Sequence, residues 1–141
     1  MPGGISTPSF GYATFCAIKF VGYTAAGHFL SMQYYRDVSA WKVGAVRTLI
    51  GMVAGAAYFG LWWIIDPRFP GASSSFLWPY LAGLLPVRIA EWWLLIWLFY
   101  DRELRQVAKD WRMVALGTIW SYVLDVPAIA GLIATAGFWI C

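Results

Sequence analysis

Four stretches of this chain, near residues 10–32, 43–65, 77–100 and 114–140, are apolar almost throughout. Each is long enough to cross a lipid bilayer, which takes about 20 residues at 1.5 Å each. In lipid no water satisfies backbone N–H and C=O groups, so such stretches must be helices; an open strand edge is not allowed. The expectation is an all-α integral membrane protein. Its four transmembrane helices form an antiparallel bundle, in a single domain covering residues 1–141. Composition agrees: hydrophobic residues make up 61% and charged residues 12%, against roughly 25% charged in soluble domains. Nothing before Lys19 is charged, so the first stretch lacks the basic start of a secretory signal and reads as a span.

Charge sets the orientation. The first connection carries Arg36, Lys42 and Arg47, and the third carries Arg102, Arg105, Lys109 and Arg112. The second has only Arg68, balanced by Asp66. By the positive-inside rule, loops 33–42 and 101–113 are cytoplasmic and both termini lie on the non-cytoplasmic side. Prolines 67 and 70 end the second span and Ser73, Ser74 and Ser75 form a polar loop. Residues Asp101 to Arg112 read as a continuing helix with an Asp101–Arg105 pair at i,i+4. The chain has no asparagine and seven arginines to three lysines, a bias that suggests a GC-rich bacterial genome and hence a bacterial inner membrane.

Most of the ten tryptophans fit an aromatic belt. Trp41 and Trp111 fall at the inner interface, and Trp62, Trp63, Trp78 and Trp139 at the outer one. Trp92, Trp93, Trp97 and Trp120 lie deeper, where packing is their simplest role. Gly44, Thr48, Gly51 and Gly55 place four small residues on one face of the second span. Such a face admits close helix packing, within the chain or against a second copy.

Arg88, Glu91 and Asp125 stand inside the spans, where each charge costs at least about 2.5–3.5 kcal/mol. Counting from the outer ends puts Glu91 and Asp125 at a common depth of about 21 Å, Arg88 near 16 Å and Lys19 near 13–14 Å. Arg88 and Glu91 are i,i+3 and able to pair. Thr118, Ser121, Tyr122 and Asp125 form one polar helix face, and Pro127 frees the Val123 carbonyl beside it. His28 and Arg47 lie near 27 Å, towards the cytoplasm. Lys19 and His28 are nine residues apart and point to opposite faces. On this reading His28 extends the polar path and Lys19 snorkels outward.

Several chemistries are disfavoured. One histidine cannot supply a bis-histidine haem within one chain, and no His/Cys cluster has metal-ligand spacing. There is no glycine-rich phosphate loop, and no nucleic-acid patch in a net charge of +3. Cys16 and Cys141 fall at different depths and are not expected to pair. No cofactor is implied. The leading expectation is a non-enzymatic protein that binds or passes a small solute or ion, with proton coupling as an option, at Arg88, Glu91 and Asp125. Tyr122, Ser121, Thr118, His28, Arg47 and Lys19 complete the candidate site. Its expected partners are the lipid bilayer and either a second copy of the chain, with the glycine face as the contact, or another membrane subunit. Two alternatives stay open: an accessory subunit whose charges lock the bundle, and a small intramembrane lipid-modifying enzyme with paired carboxylates.

Overall fold

A computed structural model describes residues 8–65 and 77–135. The expected 66–76 loop, the end of the fourth stretch at 136–140, Trp139, Cys141 and the Trp78 side chain lie outside the described residues. All described elements are helices: α1 (Pro8–Tyr34), α2 (Ala40–Ile65), α3 (Leu77–Phe99) and α4 (Val107–Thr135). Among them, α2 and the Pro79–Phe99 part of α3 are long and apolar enough to cross a membrane. Prolines 86 and 127 fall inside α3 and α4, close in sequence to Arg88 and Asp125.

The helices pack in a ring, each against its sequence neighbours, with α4 closing on α1. Contacts fix their directions. Along α1 and α2, Gly27 faces Val43 and Thr24 faces Gly44, so the two run antiparallel. Arg47 meets Glu91 and Tyr58 meets Tyr80 between α2 and α3. Trp92 meets Ser121 and Arg88 meets Asp125 between α3 and α4. Tyr34 meets Asp110 and Lys19 meets Asp125 between α1 and α4.

The connections at one end are tight. Tyr35 follows α1 with φ of 50°, and Arg36 N–H reaches back to the Ser31 carbonyl at 3.1 Å. That six-to-one bond is the Schellman stop, with Tyr35 standing where glycine is usual. Ser39 then precedes α2, its carbonyl accepting from Lys42 and Val43.

The continuous helix expected over 101–112 is not formed. Residues 101–106 are an irregular turn with Leu104 at φ of 51°. The cause is a competing use of Asp101: its Oδ2 accepts from the Gln106 N–H at 2.9 Å, just ahead of α4. Arg105 pairs with exposed Glu103 instead of Asp101.

The interior holds an apolar core that includes Leu30, Val43, Leu95, Ile96 and Val114, and charged groups are buried beside it while many large apolar side chains face out. Lys19, Arg47, Arg88, Glu91, Asp110, Ser121 and Asp125 are buried, while Val21, Met32, Leu49, Val53, Leu94, Leu116, Ile119 and Val126 are exposed. All four helices thus present large apolar side chains outward. A surface of this kind marks contact with lipid or another apolar partner.

Candidate functional site

The site is built where the four helices face one another. Each contributes at least one charge: Lys19 from α1, Arg47 from α2, Arg88 and Glu91 from α3, and Asp125 from α4. Asp125 receives Lys19 Nζ at 2.7 Å on Oδ1 and Arg88 Nη2 at 3.1 Å on Oδ2. Glu91 Oε2 receives Arg47 Nη2 at 2.6 Å and Arg88 Nη1 at 3.3 Å. Arg88 therefore bridges both carboxylates, and the five groups form one chain of alternating charge. Bringing ions out of water costs several kcal/mol each, offset only where partners meet in good geometry.

Aromatic rings hold the inner side. The Arg47 guanidinium lies 4.6 Å from the Tyr23 ring centre and 5.1 Å from that of Trp92, and such stacking favours a buried cation. Trp92 Nε1 donates to Ser121 Oγ at 2.8 Å. Arg47 Nη2 also reaches this oxygen, at 3.3 Å. Gly117 makes room for the indole, since a Cβ there would overlap it.

Several expected positions are corrected. Lys19 does not snorkel outward; it is buried and paired with Asp125. His28 does not extend a polar path; it is exposed. The choice between these opposite faces follows from what each side chain can satisfy locally. Thr24, one turn before His28, bonds its own Phe20 carbonyl at 2.7 Å and packs against Gly44 of α2, so it needs no polar partner across the bundle. A lysine ammonium has no such local acceptor, and its Phe15 and Tyr23 neighbours at i±4 are buried. Arg47, placed one or more turns from Glu91 by Cα counting, reaches it because the arginine side chain is long.

The expected α4 stripe divides. Ser121 and Asp125 join the cluster. Thr118 is buried, with its hydroxyl unpartnered among the described residues. Tyr122 turns to α3 and donates to the Leu81 carbonyl at 2.8 Å. The small-residue face is spent inside the bundle. A Cβ on Gly44 would collide with Thr24 of α1. Thr48 bonds the Gly44 carbonyl at 2.8 Å, and Gly51 and Gly55 are buried. At Gly51 the neighbours of a Cβ would be two guanidinium nitrogens, Arg47 Nη1 at 3.2 Å and Arg88 Nη1 at 3.8 Å.

The charges do not balance. Three cations face two carboxylates, leaving one positive charge in an interior with no water-exposed member. The surplus has an identifiable place. Arg47 Nε and Nη1 are buried with no hydrogen-bond acceptor among the described residues, and Nη1 packs against Gly51, 3.2 Å from where a Cβ would stand. Unmet donors on a buried cation are costly, and an anion is the species that satisfies both donor and charge.

A second polar network, not expected from the sequence, closes the end that carries the short connections. Tyr34 Oη donates to Asp110 Oδ1 at 2.6 Å, and Lys109 Nζ donates to the Gln33 carbonyl at 2.6 Å. Tyr100 Oη donates to the Gly27 carbonyl at 2.9 Å. Burial, reinforced by nearby Asp101, pushes the Asp110 carboxyl above the usual range. Burial acts the same way on Asp101, but the backbone N–H groups of residues 103, 105 and 106 outweigh it and hold that carboxyl below its ordinary value. The only sequence sign of this network was an acidic residue in the first turn of α4.

No family model matches the chain, and no curated protein or solved structure is detectably similar to it.

Proposed function

We propose that the chain crosses a bacterial inner membrane four times and binds a small anionic solute at its buried five-residue cluster. The apolar exterior of all four helices and the basic connections at one end support the spanning arrangement. In it, loops 33–42 and 101–113 are cytoplasmic and both termini face outward. The observation that carries the binding reading is the surplus cation. Arg47 has two buried donors without acceptors, in a cluster with one more cation than carboxylate. A monovalent anion bound by Arg47 would neutralise the site and complete the hydrogen bonding of that guanidinium. Arg88 links the two carboxylates and holds the geometry, and Ser121 and Trp92 keep Arg47 in place.

Thermal unfolding of the purified protein in detergent, with chloride, acetate or phosphate added, tests this. An anion at 100 times its Kd stabilises the state that binds it by about 2.7 kcal/mol. The parent is expected to gain a saturable shift with at least one of these anions, matched by one-to-one heat in calorimetry. Arg47→Gln, which itself restores charge balance, is expected to fold and to lose the response. A parent that responds to none of them, or an Arg47→Gln protein that responds equally, overturns the reading. It would leave the second one: a static lock, favoured by the fact that each carboxylate already has two cations within 3.3 Å.

A further inference from the structure

A cavity of about 340 Å³ opens between α1 and α4 to the outside. Ala25 and Phe29 form one wall, Leu116 and Trp120 the other, and Trp92 the floor. The lining is apolar, and the volume falls within the roughly 300–1,000 Å³ typical of ligand pockets. The floor indole is the one that carries Arg47, but the cleft itself holds no charge.

Two cations stand at its basic end. Lys109 lies four residues before Met113, and Arg112 four before Leu116, so both share the face of α4 that lines the cleft, one turn further out. Arg112 is exposed. Lys109 reaches across to α1, at the Gln33 carbonyl and 4.5 Å from the Tyr34 ring centre. An apolar slot beneath a cationic rim is complementary to a molecule with an anionic head and a hydrocarbon tail.

We infer that the α1–α4 cleft holds one acyl chain of an anionic phospholipid, its phosphate resting on Arg112 and Lys109. The inference rests on the membrane-spanning reading above but not on anion binding at the cluster. Within a bilayer, the phosphate layer stands at the level where the cations emerge, so a lipid satisfies rim and slot together. A chain in the slot also restores the dispersion contacts that an unfilled cleft forgoes.

Native mass spectrometry of the protein, extracted in mild detergent and offered phosphatidylglycerol and phosphatidylcholine with identical chains, tests this. The parent is expected to retain one phosphatidylglycerol at least fivefold more than phosphatidylcholine. Arg112→Glu should abolish that preference. Ala25→Phe and Leu116→Trp, both at exposed positions that tolerate added bulk, should lower retention of either lipid. Equal retention of the two lipids by the parent overturns the assignment of the head group. Undiminished retention in both cleft-filling variants overturns that of the chain. Fractionation of the parent with membranes separates the two failures, since a protein that pellets with membranes yet keeps no lipid has lost only the cleft proposal.

Discussion

Lys19 and Arg47 turn a set with one excess negative charge (Arg88, Glu91 and Asp125) into a cluster with one surplus positive charge, and this ranks the effects of removing each member. Asp125→Asn leaves Lys19 with no carboxylate, and Glu91→Gln leaves Arg47 with none. Each then holds an uncompensated buried cation, a change that costs about 3–5 kcal/mol. Lys19→Met and Arg47→Gln instead restore balance, and Arg88 still serves both acids. They are expected to cost clearly less, and denaturant unfolding in detergent of the four variants gives the order. An order in which the cation deletions cost most would remove the surplus charge from the account. Arg88, Glu91 and Asp125 were legible in the sequence because a charge in the middle of an apolar stretch has few places to go. Lys19 was a candidate as well, but its inward direction was not legible, because hydropathy alone does not rotate a helix.

At the level of elements, helix number, length and order could be read from hydrophobic runs, and the glycine face of α2 from spacing. The turn at 101–106 could not. Its sequence is helix-compatible, and the break depends on Asp101 capping the Gln106 N–H, a competition between local bonds of similar strength. That turn places Asp101 and Asp110 together, with opposite shifts. The Asp110 carboxyl, held above its usual range, contributes stability below the ordinary aspartate pKa of about 3.9 and loses it as pH rises through its own value. Asp101, held low, contributes above the ordinary value and loses that as pH falls through its own. Asp110→Asn removes the first effect. Its amide can accept from Tyr34 and donate towards Asp101 without a second negative charge. The variant is expected to be the more stable protein at neutral pH, by about 1 kcal/mol, the net worth of one buried hydrogen bond. The gap should close in acid, where Asp110 is protonated in the parent. Melting curves of both proteins across that range read it directly, and a constant offset would mean that Asp110 does not titrate against Asp101.

For the whole molecule, the decisive property is that charges are buried inside the bundle while every helix also presents large apolar side chains outward. α2 and α3 meet the length and hydropathy of a span by themselves. α1 and α4 carry Lys19, His28, Ser121 and Asp125, and the proposed four-span arrangement places them in the membrane on the ground that they share a bundle with the other two. On that proposal α1 and α4 would cross with α2 and α3, because each is antiparallel to its neighbour and their ion pairs meet inside. The direction of that crossing rests on the basic connections alone, and cysteine labelling settles it. In a Cys16→Ser, Cys141→Ser background, Ser74→Cys is expected to react with a membrane-impermeant maleimide on intact cells. Arg102→Cys is expected to react only after permeabilisation. The reverse pattern would invert the protein and put Arg112 and Lys109 against the outer leaflet, moving the proposed lipid with them. Reaction at both sites in intact cells would mean that α2 and α3 do not separate two compartments, and the buried cluster would then need another reason to avoid water.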